Sequence, residues 1–462
     1  MKKCNKNNRQ PNVLIFFTDQ QRWDTTSLSG NPLNLMPNFN RIARKGTFFE
    51  NAFSCQPVCA PARSCLQTGL YATETGVFRN GLALKDGAVT LADCFNNADY
   101  RTGYIGKWHL GGVYPGLKGG QEPVPEAKRG GYQYWLGSDL PEFVSGAYNA
   151  ILFDNDNNPI KLPGYRVDAY TDAAIRYIHK NKDEPFFLFL SFLEPHNQNT
   201  KDCFTAPDGY REEYTGRWIP PDLSALVGSA HRDLGGYYGL VKRLDEALGR
   251  LLDALKSLGI LDDTIVLFTS DHGCHFKTRN SEYKRSCHES SIHVPAAAQG
   301  RGFNGGGCLS HLVSTVDFTS TILDAAGIPI PAHMRGHSVL PLLKNEAIEW
   351  QDDVFIQISE SQVGRAVRTG RWKYSVYAED KDPWNDSSAD YFQEEFLYDL
   401  QADPYELVNL IGMESHCEVA GVMKKRLLHR MELAGEKKPV IKDYPQRIDS
   451  ENRRVFDDEL YE

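Results

Sequence analysis

Three short runs of almost wholly apolar residues constrain the fold of this chain more than any other feature of its sequence. They occupy residues 12–17, 185–192 and 264–268. Each run is followed by polar residues: Thr18-Asp19-Gln20, Glu194-Pro195-His196 and Ser270-Asp271-His272. Such runs are typical of central strands in a parallel sheet that is covered on both faces. Because the carboxyl ends of parallel strands meet at one edge, we expect the three polar clusters to lie together there.

Helical patterns separate the apolar runs. Segments 36–45, 90–97, 168–181 and 235–259 are predicted helices, and the last repeats leucine at about the 3.6-residue helical period. Alternating strands and helices predict an α/β sandwich with right-handed crossovers between its parallel strands.

The sequence changes character after about residue 345. Short strands are predicted at 354–358, 364–369, 372–377 and 396–400, and a helix at 417–434. We therefore predict two units, a catalytic α/β domain over 1–345 and a smaller unit over 346–462 that packs on it. The smaller unit is expected to be an antiparallel sheet with one terminal helix.

Composition and charge exclude several classes of protein. The 462 residues are 41% hydrophobic, which is enough for a large core, and the net charge of −9 argues against nucleic acid as a partner. No apolar stretch reaches about 18 residues, so no membrane span is predicted. The basic N-terminal start has no apolar segment behind it, and the cysteines follow no framework spacing. These features predict a cytoplasmic protein with mostly reduced thiols, unless an export signal has been removed.

A cysteine, a proline and an arginine lie close together in segment 55–69, as Cys59-Ala60-Pro61-Ala62-Arg63. If a helix starts at this point, positions i and i+4 share a face, and Arg63 lies beside the sulfur of Cys59. A cation in that place favours an anion at the thiol or at a group bound to it. A cysteine-rich turn with a solvated arginine explains the isolated pattern equally well.

Asp19, Gln20, Asp271 and His272 are candidate metal ligands, because they follow two of the apolar runs. Sites with two carboxylates and an amide oxygen suit Ca²⁺ or Mg²⁺ better than thiophilic metals. The alternative is that the two aspartates only cap the turns behind their strands. The occurrence of two such pairs, together with the cysteine motif, favours the metal site.

Four basic residues are candidates for anion binding and proton transfer. Lys107 and His109 are two positions apart, which places them on one side of an extended segment. His196 is a second candidate for proton transfer, and Lys284 is a second cation for a tetrahedral anion. Taken singly, each is more often an ordinary surface or core residue.

These motifs occur in the order found in type I sulfatases, and the sequence resembles that family over nearly its whole length. The matching segments are 11–22, 36–52, the cysteine motif, 104–111, 194–196, 270–273, 284–295 and 397–409. The resemblance implies the fold of the alkaline phosphatase superfamily, a Ca²⁺ ion (or Mg²⁺), and oxidation of Cys59 to formylglycine by a maturase enzyme. Residue 59 then also contacts the metal. Many members have two consecutive acids where this chain has Asp19-Gln20, and Asn is common at the position of His272.

The resemblance also implies a division of chemical roles. Hydrated formylglycine attacks sulfur with help from the metal, and Arg63 orients the hydrate. Lys107 and Lys284 hold the sulfate oxygens. His196 protonates the departing alcohol, and His109 takes a proton from the second hydroxyl so that sulfate can leave.

We expect the substrate to be a sulfate monoester of a sugar, including glycosaminoglycan fragments, with aryl sulfates as surrogates. The alternative enzyme is a phosphate or phosphonate monoester hydrolase of the same superfamily, because a lysine and metal site binds any tetrahedral anion. A non-catalytic sulfoglycan-binding protein, with Cys59 left as a thiol, is a third hypothesis. Residues 116–160 and 200–222 are expected to shape the pocket.

Overall fold

The structure is a computed structural model that describes residues 10–112, 122–199, 201–305 and 307–445. The basic N-terminal start and residues 116–121 and 200 of the expected pocket segments lie outside the described residues. The predictions made for them therefore stay predictions. Among the described helices, none is long and apolar enough to cross a membrane.

A ten-stranded sheet forms the centre of the described part of the chain. Its strands are β1 Asn12–Thr18, β2 Thr47–Phe53, β3 Arg101–Lys107, β4 Tyr134–Ser138, β5 Ala150–Phe153, β6 Pro159–Leu162, β7 Phe186–Ser191, β8 Thr264–Ser270, β9 Ala296–Gln299 and β10 Cys308–Ser314. Their order across the sheet is β10-β2-β9-β8-β1-β7-β3-β4-β5-β6. The strands from β8 to β4 run parallel, β9 is antiparallel to both neighbours, and β5 and β6 form an antiparallel edge. The predicted, mostly parallel sheet is confirmed.

Helices cover both faces of this sheet. Their bounds are α1 Pro37–Lys45, α2 Cys59–Thr68, α3 Ala72–Thr75, α4 Leu91–Asn96, α5 Pro141–Val144, α6 Arg166–Asn181, α7 Tyr210–Tyr214, α8 Pro221–Ala225, α9 Ala230–Ser257, α10 Glu289–Ile292, α11 Thr315–Ala326, α12 Leu340–Leu343 and α13 Cys417–Leu433. Short 3-10 helices lie at Trp23–Thr25, Ser27–Ser29, Glu126–Lys128, Leu261–Asp263 and Glu414–His416.

The longest helix, α9, begins at Ala230 rather than at residue 235 as predicted. Its first turns contain Gly235, Gly236 and Gly239, which weaken a helical signal in the sequence. A Cβ at Gly236 would lie 2.4 Å from the carbonyl oxygen of Phe204, so a neighbouring segment packs too closely there for any side chain. Tertiary packing therefore explains why helix-breaking residues stand inside a helix.

The three apolar runs become β1, β7 and β8, which are adjacent and buried at every residue. Successive side chains of a strand point to opposite faces, and β1 shows this alternation between two hydrophobic cores. Leu14 and Phe16 pack in one core, whereas Val13, Ile15 and Phe17 pack in the other. Burial on both faces explains why these strands carry no polar alternation.

A second sheet forms the smaller C-terminal unit. Its strands are β11 Asp353–Ile358, β12 Val363–Thr369, β13 Trp372–Ala378, β14 Tyr391–Asp399 and β15 Val440–Lys442, paired in that order. The first four are antiparallel, but β15 pairs parallel to β14, so the sheet is not wholly antiparallel as predicted. Strand β14 also begins five positions before the predicted residue 396, because Gln393, Glu394 and Glu395 interrupt its apolar pattern.

The two units share a buried core. Phe53 and Ile292 of the large unit pack with Val354 and Ile356 of β11. The backbone N–H of Gln357 on β11 donates to the carbonyl oxygen of Cys55, just before α2, at 2.8 Å. The smaller unit thus packs closely on the larger one, and the division at residue 345 stays a prediction.

Candidate active site

The polar residues that follow the central strands converge at one edge of the large sheet. Asp19 follows β1, Asp271 follows β8, and Lys107 is the last residue of β3. Helix α2 begins at Cys59 and brings the sulfur to the same edge. His196 follows β7, between β1 and β3 in the sheet. The expected convergence at strand ends is therefore what the structure shows.

Asp19, Cys59, Asp271 and His272 form a buried cluster that could hold a metal ion, with one ligand atom of each lying within 4.8 Å of all the others. The Sγ of Cys59 is 3.4 Å from Asp19 Oδ1 and 3.3 Å from His272 Nε2. His272 Nδ1 faces the carbonyl oxygen of its neighbour at 2.9 Å, which leaves Nε2 as the lone-pair nitrogen. Burial, followed by the charge of Lys284, lowers the pKa of His272 well below its usual value. His272 is therefore neutral, as a ligand must be.

The charges of the two aspartates fit a bound cation. Burial and then the charge of Asp19 raise the pKa of Asp271 to about 7. Burial also opposes ionisation of Asp19, but the nearby charges of Lys107, Arg63 and Lys284 hold the pKa of Asp19 well below its usual range. Within the described residues, Asp271 Oδ2 accepts no hydrogen bond. A cation at the cluster would satisfy that oxygen and favour ionisation of Asp271.

Gln20 lies beside this cluster rather than in its centre. Its backbone N–H donates to Asp271 Oδ1 at 2.9 Å, and its φ of 68° turns the chain sharply after β1. Its side-chain Oε1 is buried and has no hydrogen-bond partner in the described part of the chain. An unpartnered buried amide oxygen is what a hard cation such as Ca²⁺ would bind.

The sulfur of Cys59 is surrounded differently from the sequence expectation. Lys284 Nζ, rather than Arg63, is the cation beside it, at 2.7 Å from Sγ. Burial and the charge of Asp19 raise the pKa of the Cys59 thiol to about 12, which favours the thiol over the thiolate and leaves a bound group as the place for the expected anion. A thiol held in this form is a poor nucleophile and a weak metal ligand.

Arg63 does lie one helical turn after Cys59, but its guanidinium extends past the sulfur to the carboxylates. It donates to Asp19 Oδ2 at 2.9 Å and to Ser191 Oγ at 2.6 Å, and it lies 3.3 Å from Asp271 Oδ2. It is 3% exposed. The i, i+4 argument gave the correct helix face, whereas the length of the side chain decided what Arg63 contacts.

Lys107 has two buried acidic partners. Its Nζ lies 3.0 Å from Asp19 Oδ2 and 2.8 Å from Glu142 Oε1. Burial favours the neutral amine, but Asp19 and other anions outweigh it and raise the pKa of Lys107. Lys107 is therefore a permanent cation. Glu142 was not predicted, because nothing in the sequence links α5 to β3.

His109 is not on an extended segment as predicted, because its φ is 61°. Because of this left-handed turn after β3, the side chains of His109 and Lys107 do not share one side of the segment. His109 lies instead on the wall of the cavity that contains Cys59. Burial and then Lys107 lower the pKa of His109 well below its usual value. Its Nδ1 is buried without a hydrogen-bond partner among the described residues. A neutral imidazole of this kind can accept a proton.

His196 and Lys284 form a pair. Lys284 Nζ lies 3.2 Å from His196 Nε2, while His196 Nδ1 lies 2.6 Å from the carbonyl oxygen of Asn197. Burial and then the charge of Lys284 lower the pKa of His196 well below its usual value. The neutral ring therefore donates from Nδ1 to Asn197 and accepts from Lys284 at Nε2. His275 Nε2 lies 2.9 Å from the carbonyl oxygen of Lys284 and holds its backbone.

A cavity of about 600 Å³ opens onto this cluster and is lined by Gln20, Cys59, His109, His196 and Lys284. Leu140, Glu142 and Phe143 from the expected segment 116–160, and Asp202 from 200–222, also line it, which confirms that the described parts of both segments shape the pocket. Its outer rim contains residues that the sequence analysis missed: Arg79, Asn80, Arg285 and Trp384. Arg285 directly follows the predicted Lys284 in segment 284–295, whereas Arg79, Asn80 and Trp384 come from loops with no periodic pattern, so the sequence held no signal for those three.

Comparison with known proteins places this chain among the sulfatases. Residues 11–328 match the sulfatase family, and residues 282–433 match the C-terminal region of N-sulphoglucosamine sulphohydrolase. The chain is similar to a solved Bacteroides fragilis structure with a TM-score of 0.81 and 23% identity, over 94% of this chain and 98% of that one. The fold is that of the alkaline phosphatase superfamily.

Two sequence relatives are sulfatases of bacterial origin. The ulvan-active sulfatase of Formosa agariphila is 30% identical over 421 residues, covering 87% of this chain and 77% of the relative. The N-acetylglucosamine-6-O-sulfatase of Bacteroides thetaiotaomicron is 25% identical over 499 residues, covering 89% and 84%. This chain belongs to the sulfatase family, and it is therefore a sulfuric ester hydrolase.

Proposed function

We propose that this sulfatase hydrolyses a sulfate monoester of a sugar or oligosaccharide, with Cys59 converted to formylglycine and with Ca²⁺, or alternatively Mg²⁺, as its metal. The named activities of the two relatives, on ulvan and on N-acetylglucosamine-6-O-sulfate, support a sugar substrate. A maturase enzyme would be the partner that oxidises Cys59.

Asp19, Gln20, Asp271 and His272 would hold the metal, together with residue 59. When bound, the metal supplies positive charge beside the sulfate group, and the hydrated aldehyde supplies the oxygen nucleophile. Arg63 fixes the carboxylates of Asp19 and Asp271 in place.

The cations of the chain would bind the sulfate and the imidazoles would move protons. Lys107 and Lys284 would contact sulfate oxygens and stabilise the charge that develops as the S–O bond breaks. Lys284 would pass a proton to the lone pair of His196 Nε2 across the 3.2 Å contact, and Nε2 would give that proton to the departing alcohol. His109, neutral and unpartnered at Nδ1 within the described chain, would accept the proton whose removal releases sulfate.

The position of Lys284 Nζ is the observation that carries this proposal. It contacts both the Sγ of Cys59 and the Nε2 of His196. The proposed reacting residue and the proposed proton donor therefore lie on either side of one anion-binding cation. The test compares release of sulfate from sulfated sugars with release of phosphate or phosphonate from matched esters, alongside the mass of the peptide that contains Cys59. Turnover of the phosphorus esters alone, or an unmodified cysteine in fully active protein, would contradict the proposal.

A further inference from the structure

The cavity contains more cations than its own carboxylates neutralise. The charged residues on its described wall are Glu142, Asp202 and Glu282, opposed by Arg79, Lys277, Lys284 and Arg285 together with His109 and His196, which are neutral. Each acidic residue already has a cation of the chain as its partner. An anionic ligand can therefore bind only at a cation that no carboxylate of the chain already neutralises.

The three acidic residues are paired as follows. Glu142 binds Lys107 at 2.8 Å, and Asp202 binds Lys277 at 2.9 Å. Glu282 lies 3.5 Å from Arg285, which also binds the buried Glu360 at 2.6 Å. Lys277 and Arg285 are therefore neutralised by the protein itself.

Arg79 and Lys284 are the wall cations left without an ion pair to any carboxylate in the described part of the chain. Lys284 lies at Cys59, where the scissile sulfate is expected. Arg79 lies on the outer rim, next to the exposed Trp384. The cavity thus presents one free cation at its reacting end and another at its mouth.

The guanidinium of Arg79 is held in a fixed direction by groups that carry no net charge. Its Nε donates to the carbonyl oxygen of Trp384, and its Nη1 donates to the carbonyl oxygen of Asn80 at 2.9 Å. The aromatic rings of Phe78 and Trp384 lie 5.9 and 6.0 Å from its central carbon. Its Nη2 makes no hydrogen bond within the described chain. An oriented guanidinium with an open Nη2 is suited to a carboxylate or a sulfate.

The rim that carries Arg79 is tied to the reacting end. Asn80 Oδ1 accepts from the backbone N–H of Ala60, the residue after Cys59, at 3.1 Å. The backbone N–H of Asn80 donates to Glu360 Oε1 at 2.7 Å, so the C-terminal unit holds the same loop. The separation between the two free cations is therefore set by the fold rather than by a free loop.

We propose that Arg79 binds a second anionic group of the substrate, so that the preferred substrate is a sugar carrying a carboxylate or another sulfate in addition to the sulfate that is cleaved. This inference rests on the proposed function and deepens it by naming the substrate class. Trp384, 43% exposed, forms the apolar wall beside that group.

Binding to a Cys59→Ala variant, which cannot turn over, tests the inference by calorimetry at fixed ionic strength. The probes are glucosamine 6-sulfate and glucosamine 2-N,6-O-disulfate, and a chondroitin 6-sulfate disaccharide with its uronate intact or reduced to the alcohol. We expect at least one two-anion probe to bind about 10-fold more tightly than its one-anion partner, the usual order for a charge-assisted hydrogen bond. The pair that shows the difference tells whether the group is a sulfate or a carboxylate.

Adding Arg79→Gln to the Cys59→Ala variant should reduce the ratio of the two affinities to below about 3-fold. Arg79→Lys should restore only part of the ratio, because lysine lacks the planar guanidinium. Lys277→Gln, which removes a cation already paired with Asp202, is the matched control and should keep the ratio. Equal affinity for both members of each pair, or a ratio that survives Arg79→Gln in folded protein, would overturn the inference.

Turnover by the unmutated protein separates this inference from the proposed function. If that protein releases sulfate from neither the four probes nor 4-nitrophenyl sulfate, while the Cys59→Ala variant shows the expected ratios, the proposed function fails and the second anion site stands. If it turns over the one-anion and two-anion probes of both pairs with equal kcat/KM, the second site fails and the proposed function stands.

Discussion

The inner end of the cavity and its outer rim are built in different ways. Asp19, Lys107, Asp271 and His272 follow or end central strands, and their side chains are wholly buried. The rim comes from loops of both units and stays partly exposed, with Trp384 at 43%. Inside, nearly every charge has a partner from the chain, whereas Arg79 on the rim has none among the described carboxylates. The inner end is thus built largely on strand ends, and the rim on loops, which are the parts of a fold that vary most readily.

Replacing Cys59 should have the largest effect on the inner end. Cys59→Ala is expected to abolish sulfate release, because the reacting group is lost while the small side chain keeps helix α2 intact. Sulfate release and far-ultraviolet circular dichroism measure the two effects. Cys417→Ala, at an exposed cysteine on α13, is the control and should keep full activity. More than a trace of turnover in Cys59→Ala would remove formylglycine from the mechanism.

Metal removal should inactivate the protein to a similar extent, but reversibly. Chelation leaves the Asp19 and Asp271 carboxylates without a cation, and added Ca²⁺ or Mg²⁺ should restore sulfate release. Because a ligand that binds only the folded state stabilises it, Ca²⁺ should also raise the Tm of the chelated protein. Asp271→Asn should weaken both responses. Unchanged activity and Tm after exhaustive chelation would mean that the aspartates only cap their turns.

His196→Ala should slow the reaction by an amount that depends on the leaving group. Departing sugar alcohols need a proton, and general-acid catalysis contributes roughly 10²–10⁴-fold where it is needed. Nitrophenolate needs little protonation, so 4-nitrophenyl sulfate should be affected much less. The measurement is kcat/KM for both substrates. Equal losses on the two would show that His196 only supports Lys284.

His109→Ala should separate the two halves of the reaction. The variant is expected to release alcohol once and then stall, because no neutral imidazole accepts the proton needed for sulfate release. Rapid mixing with 4-nitrophenyl sulfate should show a burst of nitrophenolate equal to the enzyme concentration, with little free sulfate. Steady release of both products together would assign the proton acceptor to another residue.

The same contrast explains what the sequence could predict. Apolar runs followed by polar residues locate strand ends, and strand ends in a parallel sheet lie together, so Asp19, Asp271 and His196 could be grouped in advance. The contact between Asn80 and Glu360 joins residues 280 positions apart, and no periodicity relates them. The direction in which a side chain points could not be predicted from the sequence either. Arg63 extends to the carboxylates and His109 takes a left-handed φ, both because of packing against elements distant in sequence.

Asn80→Ala should have the smallest effect, and it tests whether the two regions are coupled. The substitution removes the acceptor for the Ala60 N–H at the start of α2, which resembles loss of a helix cap and should cost about 1 kcal/mol in the free energy of unfolding. Because Asn80 also supports the loop of Arg79, KM for a sulfated sugar should rise several-fold, while kcat should change little since no proton donor or acceptor moves. Asn80→Asp keeps the acceptor oxygen and should retain most of the stability. Urea unfolding and steady-state kinetics measure both effects, and a fall in kcat as large as the rise in KM would mean that the rim also positions Cys59.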